Sequence, residues 1–241
     1  MSYNIYETRR LLDEYLLFHY GSADEVLPWT FGPKEALGFA VRTVTELIAT
    51  PAHGRALDLG CAVGRSSFEL ASLGFEEVVG IDYSHSFIDA AKVLQTGAPL
   101  TYERLDEGSQ RTTLTALARP YPGIHFEQGD AMDLRTDLAQ FDLVHAANLL
   151  CRLTYPQKLI ERLHDLVKPG GQLLLTTPCT WLAEFTPPEN WPAGSTRDWL
   201  KEKLSAHFML ELERDLPFLI REHARKYQWS VAWGTRWRRK A

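Results

Sequence analysis

The run Asp58-Leu59-Gly60-Cys61-Ala62-Val63-Gly64 sets an acid beside two glycines in a G-x-x-x-G loop. Glycine reaches backbone angles closed to other residues, and at position 60 its missing side chain would let a ligand lie against the main chain. A second acid, Asp82, ends the apolar run Val78-Val79-Gly80-Ile81. An acid at that point can accept two hydrogen bonds from a ribose diol, each worth about 1.5–3 kcal/mol to a charged acceptor. A third, Asp130 in Gly129-Asp130-Ala131, suits an adenine amino group. Dinucleotide folds bring the backbone onto a pyrophosphate with G-x-G-x-x-G, and this loop lacks the middle glycine. The pattern therefore points to a nucleoside ligand without phosphates and away from NAD. Each feature also has a structural reading: a tight turn for the glycines, a helix cap for Asp82, a simple Gly-Asp turn for Asp130.

These residues need elements to hold them. Strands are expected at Arg55–Leu59, Val78–Asp82, Ile124–Gln128, Phe141–Ala146 and Gln172–Thr176. Helices are expected at Leu11–Tyr20, Pro33–Ala49, Ser66–Leu73, Ser86–Leu94 and Tyr155–Val167. Alternating strands and helices imply a parallel sheet covered on both faces. Lys168-Pro169-Gly170-Gly171 reads as a turn. Phe208–Glu213 and Gln228–Arg236 read as a terminal antiparallel pair. Between Thr96 and Gly123 only Leu100–Leu105 has strand character. The reading is one domain over 1–241, with an N-terminal helical segment (1–50), a core (51–178) and a substrate-side segment with the terminal strands (179–241). On this order Asp58 and Asp82 fall at strand ends, where open α/β sheets bind ligands.

Composition narrows the class. With 45% hydrophobic and 24% charged residues, the chain is neither disordered nor fibrous. A formal charge of -5 argues against nucleic acid as the main partner. The basic run Arg236-Trp237-Arg238-Arg239-Lys240 is either a solvated end or a local anion patch. No apolar run is long enough to span a membrane, and Met1–Arg10 does not read as a signal peptide. Cys61, Cys151 and Cys179 form no CxxC pair, which excludes a disulfide framework and a zinc site and suits a reducing cytoplasm. No metal site is expected.

Taken in order, Leu57–Gly64, Gly80-Ile81-Asp82, Gly129-Asp130-Ala131 and Lys168–Gly171 resemble the class I S-adenosylmethionine-dependent methyltransferases. The family usually has a third glycine where this chain has Ala62. The resemblance implies a Rossmann-like α/β fold of seven mostly parallel strands with a terminal antiparallel strand, helices on both faces and an N-terminal helical lid. It implies S-adenosylmethionine as cofactor, with S-adenosylhomocysteine as product. Asp58, Gly60, Cys61, Ala62, Gly64, Asp82, Tyr83, Asp130, Ala131 and Asn148 would line the cofactor, and Arg42 would meet its carboxylate.

A narrower resemblance covers segments across nearly the whole chain. Tyr6-Glu7-Thr8, Glu14–Gly21, Ala146–Leu153, Thr176–Leu182 and Asp215–Tyr227 resemble the 4-mercaptohistidine N1-methyltransferase family of ovothiol biosynthesis. That resemblance implies a small amino-acid substrate, 5-thiohistidine, methylated on a ring nitrogen. Such modules are often fused behind an iron-dependent sulfoxide synthase, here expected as a separate enzyme of the same pathway.

Methyl transfer is an in-line displacement, so much of the task is alignment, which can contribute about 7–11 kcal/mol. Asn148, closing the fourth core strand, is the candidate contact near the transferred methyl, because an amide both donates and accepts. Tyr15 and His19 share a helical face with each other, and with Tyr20 they are candidates to close over the pocket, His19 as a general base. Aromatic faces there attract a sulfonium by about 0.5–2 kcal/mol. An amino-acid carboxylate suits a guanidinium fork, and Arg152, Arg221 and Arg225 are the candidates, with Trp181 nearby. The same residues have ordinary readings as caps, core and ion pairs. The alternatives to this acceptor are another small metabolite, or a catalytically silent cofactor-binding module that supports a partner enzyme.

Overall fold

Capping residues mark where the first elements begin and end. In the computed structural model, which describes residues 5–50 and 53–241, α1 (Arg9–Tyr20) starts at Thr8, whose side chain accepts from Leu11 N, and stops at Gly21. A Ser22–Glu25 capping box opens the one-turn α2 (Ala23–Val26). The single helix expected over Pro33–Ala49 is broken. A 3-10 turn covers Lys34–Ala36, Gly38 takes φ +65°, and α3 spans only Phe39–Thr45. A left-handed residue cannot continue a right-handed ladder.

β1 (Arg55–Leu59), α4 (Arg65–Ser72), β2 (Glu77–Asp82) and α5 (His85–Gln95) follow as the sequence predicts. The poorly patterned stretch after them forms β3 (Leu100–Glu107) and β4 (Gln110–Ala116), a separate antiparallel pair. Its two-residue turn is Gly108-Ser109, with Gly108 at φ +57°. β5 (Ile124–Gln128), β6 (Phe141–Ala147) and α6 (Pro156–Leu166) lead into β7 (Val167–Thr177). The turn expected at Lys168–Gly171 is instead an irregularity inside β7, where pairing skips from Phe141–Val167 to Leu143–Gln172. After α7 (Thr196–Leu204) come β8 (Phe208–His223) and β9 (Lys226–Arg239).

The large sheet has the order β5-β2-β1-β6-β7-β9-β8. Its first five strands are parallel, and β9 runs antiparallel between β7 and β8. This is the Rossmann-like arrangement expected. The last two strands are longer than their apolar runs suggested. Thr177 ends β7 opposite Trp233, so residues 216–232 of the β8–β9 hairpin project beyond the carboxyl ends of the parallel strands. Pro217 is tolerated because an edge strand can turn its missing N–H outward. The projecting arm reaches β3, where Ala224 N donates to Asp106 O and Arg221 Nη2 to Asp106 Oδ1, both at 2.9 Å. α1 packs against both β3 and β8, so the N-terminal helix is wedged between the insertion and the arm.

Strand side chains alternate between two cores. Ala56, Val78, Leu143 and Leu174 face α1, α3, α4 and α5, whereas Leu57, Val79, Val144 and Leu173 face α6 and α7. By the same alternation Asp58 and His145 point toward α3 and α4. No described helix is long and apolar enough to cross a membrane. The basic end is tied down within the fold: Arg236 and Arg238 share one carboxylate, Glu211, and Arg239 donates to the carbonyls of His164 and His207.

Candidate active site

The loop between β1 and α4 folds back onto the end of β2. Gly60 N and Cys61 N both donate to Ile81 O, and Ala62 N donates to Asp82 Oδ2 at 2.9 Å. Gly60 takes φ +68°, and a Cβ there would stand 3.0 Å from Leu149 Cδ1, so the Leu149 side chain packs directly on the loop's main chain. Gly64 takes φ +85°, and a Cβ would stand 2.6 Å from the Phe126 ring. Ala62 is left-handed at φ 49°, a conformation costing about 1–2 kcal/mol in a non-glycine residue. The Asp82 hydrogen bond offsets that strain. Cys61 is buried, which pushes its thiol up, and its Sγ donates to Ala62 O at 3.7 Å.

Asp82 spends its other oxygen on Ser84 N at 2.9 Å. Burial pushes its carboxyl up to about 6, against the pull of the two backbone donors. Tyr83 beside it is exposed. On the neighbouring strand, Asp130 caps its own turn by accepting from Met132 N at 2.8 Å, with Ala131 between them. Asp82 and Asp130 thus stand at adjacent strand ends, beside the glycine loop.

The N-terminal segment is pinned across these turns. Tyr6 O accepts from the hydroxyls of Ser84 and Ser86, and the Glu7 carboxylate accepts from His85 N and Ser86 N. At the far end of α1, Tyr20 Oη donates to Val63 O at 2.8 Å. Between them Tyr15 packs on Phe87, 4.6 Å between ring centroids, and burial raises its phenol. One turn further on, His19 stacks on Tyr15 at 5.8 Å, and its buried Nδ1 has no hydrogen-bond partner among the described residues. Burial holds His19 down to about 4, against the pull of Asp58. The imidazole is therefore neutral at neutral pH. So strong a conjugate acid keeps a proton poorly, which favours a hydrogen-bonding role over the general base read from sequence.

β6 ends at the same edge. Asn148 is left-handed at φ 52°, its N donates to Thr176 O, and its Oδ1 accepts from Thr176 Oγ1 at 2.9 Å. That fixes the side chain and leaves its NH₂ group without a hydrogen-bond partner among the described residues. A 3-10 turn, Leu150–Arg152, follows.

A model of the methyltransferase domain matches residues 34–224. The chain belongs to this methyltransferase family. Among curated relatives, a tRNA U34 carboxymethyltransferase of Idiomarina loihiensis is 25% identical over 65% of this chain and 46% of its own length. A ubiquinone biosynthesis O-methyltransferase of Coxiella burnetii is 31% identical over 50% of this chain and 42% of its own. The chain thus spans under half the length of these relatives. A solved SAM-dependent methyltransferase of Methanosarcina mazei superposes with TM-score 0.55 at 19% identity, covering 79% of this chain and 94% of its own. A structure described as converting a disulfide bond into a thioacetal group during echinomycin biosynthesis gives TM-score 0.55 at 21% identity, over 96% and 92%. These likenesses support the fold.

Several residues read from sequence as parts of the methyltransferase site are committed elsewhere. Asp58 lies beneath the loop, 1% exposed, and both its oxygens are taken by His145, Ser66 and Ser67. Arg42, expected at the cofactor carboxylate, instead donates to Glu46 and to Pro217 O. Arg221 is buried against Asp106 and the carbonyls of Glu25 and Val26, holding the hairpin arm to β3 and α2. Arg225 is exposed at the hairpin tip, over the Trp29 ring. Trp181 gives its indole N–H to Thr196 Oγ1 at 2.8 Å and so anchors the start of α7. Asp58 was named for its place at a strand end and the arginines for their residue type; His145, Pro217 and Asp106, which help to hold Asp58, Arg42 and Arg221, are distant in sequence and leave no local trace.

Two residues near the crevice escaped the reading. Tyr6 stands 6.3 Å from Tyr15 and 6.2 Å from Phe185, ring to ring, so an aromatic wall joins the N-terminal segment to the stretch after β7. The quoted Tyr6-Glu7-Thr8 was the available signal for the first; Phe185 lies in a segment with no periodicity.

Proposed function

We propose that this chain is an S-adenosylmethionine-dependent N-methyltransferase that methylates the imidazole of 5-thiohistidine to give ovothiol. One observation supports the cofactor most strongly: the glycine loop, Asp82 and Asn148 converge on three neighbouring carboxyl ends, β1, β2 and β6. The residues fit the group. Gly60 supplies the left-handed bend that turns the loop back onto β2, Asp82 has lone pairs remaining for a ribose diol, and Asp130 with Ala131 stands where adenine would reach. S-adenosylmethionine, when bound, supplies an electrophilic methyl on a sulfonium that leaves as neutral S-adenosylhomocysteine.

The chain's own residues then align and shield. Asn148, its carbonyl held by Thr176, presents an amide NH₂ beside the loop. Tyr6, Tyr15 and Phe185 exclude water and offer ring faces to a cation. A neutral His19 can hold the acceptor ring in the tautomer that leaves its attacking nitrogen a free lone pair. The 5-thiohistidine assignment rests on the segment resemblance in Tyr6–Thr8, Glu14–Gly21, Ala146–Leu153, Thr176–Leu182 and Asp215–Tyr227, and an iron-dependent sulfoxide synthase would be the enzyme upstream. Incubation with labelled S-adenosylmethionine and a panel of thiol, amine and acid metabolites tests it. Label should enter 5-thiohistidine on a ring nitrogen; transfer to a different metabolite alone would overturn the acceptor, and binding without any transfer would favour a silent module.

A further inference from the structure

We propose that Arg152 is a carboxylate-binding subsite, so that the methyl acceptor is a small molecule carrying a carboxylate. Every other described arginine withdrawn from solvent donates to a carboxylate or a backbone carbonyl, as Arg42, Arg55, Arg104 and Arg221 do. The Arg152 side chain makes no ion pair and no hydrogen bond among the described residues, and its Nη1 is buried without a partner. Its guanidinium lies 4.6 Å from the centroid of Phe185. A buried charged donor left unpaired is costly, and the cost is recovered when a ligand brings the acceptor.

The position fits an acceptor better than a structural anion. Arg152 ends the 3-10 turn that begins directly after Asn148 and Leu149. Phe185 fixes one face of the guanidinium, and Tyr6 packs on Phe185 at 6.2 Å, so the group is walled by two segments that lie outside the parallel sheet. With one face stacked, a guanidinium still presents its in-plane N–H groups, the fork that matches a carboxylate. Aromatic walls lower the local polarity and strengthen that pairing. Arg221 and Arg225, the other arginines considered for this role, are removed from it by Asp106 and by the hairpin tip.

The inference rests on the methyltransferase reading, but not on 5-thiohistidine being the acceptor. The experiment is calorimetry on full-length protein loaded with S-adenosylhomocysteine, using amino acids paired with their decarboxylated amines: 5-thiohistidine with 5-thiohistamine, histidine with histamine, tyrosine with tyramine. At least one acid should bind about 10- to 100-fold tighter than its amine. Arg152→Met should erase that ratio, Arg152→Lys should restore part of it, and S-adenosylhomocysteine affinity should stay within about three-fold. Equal binding within every pair, or a ratio that survives Arg152→Met, overturns the subsite. Because the paired comparison is made first on the unaltered protein, a variant that fails to fold does not remove the test. Methylation of 5-thiohistidine and its amine with equal kcat/KM would overturn the subsite and keep the acceptor. Arg152-dependent methylation of some other acid would do the reverse.

Discussion

Asp58 Oδ1 and His145 Nδ1 stand 2.7 Å apart across the paired positions of β1 and β6. The second carboxylate oxygen takes the hydroxyls of Ser66 and Ser67, at 2.7 and 2.6 Å, while His145 Nε2 lies 3.0 Å from Thr43 Oγ1. Two strands and two helices are thereby tied at one buried point below the glycine loop. An acid that looked like a ligand contact is the peg from which the loop springs.

Cutting that tie should destabilise the fold. His145→Phe leaves Asp58 buried with its main partner gone, and removing one partner of a buried pair costs about 3–5 kcal/mol. Urea denaturation should show a loss of that size with little change in slope. Desolvation pushes the Asp58 carboxyl up, but His145 and the two hydroxyls pull it further down, below its ordinary 3.8. A depressed acid contributes stability that is fully present above its unfolded value and is lost as pH falls through the folded one. The share of acid stability that Asp58 supplies should therefore be lost only below 3.8, and His145→Phe should lose that part of the pH dependence.

Asp82 has the opposite sign. Its folded value, about 6, lies above the ordinary 3.8, so ionisation opposes folding of the cofactor-free protein as pH rises from one to the other. A ribose diol donating to the charged carboxylate would reverse the penalty. S-adenosylmethionine should raise Tm more at about pH 7.5 than at about pH 5. Asp82→Ala, which also frees Ala62 N, should weaken cofactor binding about ten-fold or more at the higher pH and flatten the pH profile. Calorimetry giving unchanged affinity would take Asp82 out of the site.

Tyr20 tests whether α1 holds the loop or merely covers it. Tyr20→Phe removes one hydrogen bond to Val63 O and little volume, a change of about 0.5–1.5 kcal/mol. Loop contact predicts a loss in cofactor affinity of about 2- to 10-fold, with kcat less affected. A fall in Tm with affinity intact would assign Tyr20 to packing alone.

Much of this site was legible in sequence because its cofactor side is local. Glycines at 60 and 64 and acids at 82 and 130 sit where a strand becomes a turn, so neighbours in the chain are neighbours in space. The five parallel strands were legible for the same reason. What failed was long-range. Nothing near Arg42 in sequence announces Pro217 O, and nothing near Arg221 announces Asp106. β3 and β4 carry polar residues on much of their surface, so no clean alternation marked the pair: Leu100–Leu105 alone had strand character, and its partner strand was not read. The break at Gly38 was hidden because the flanking residues keep helical spacing.

Asn148 separates backbone from side chain. At φ 52° the position suits asparagine or glycine, and alanine there costs about 1–2 kcal/mol. Asn148→Gly removes the amide without that strain, while Asn148→Ala removes the amide and adds it. If the amide acts beside the transferred methyl, both variants should lose turnover about equally, and only Asn148→Ala should lose stability of that order in urea. Single-turnover rates and denaturation midpoints on the two variants are the measurements. Turnover that falls with stability, low in alanine and normal in glycine, would show that the conformation matters and the amide does not.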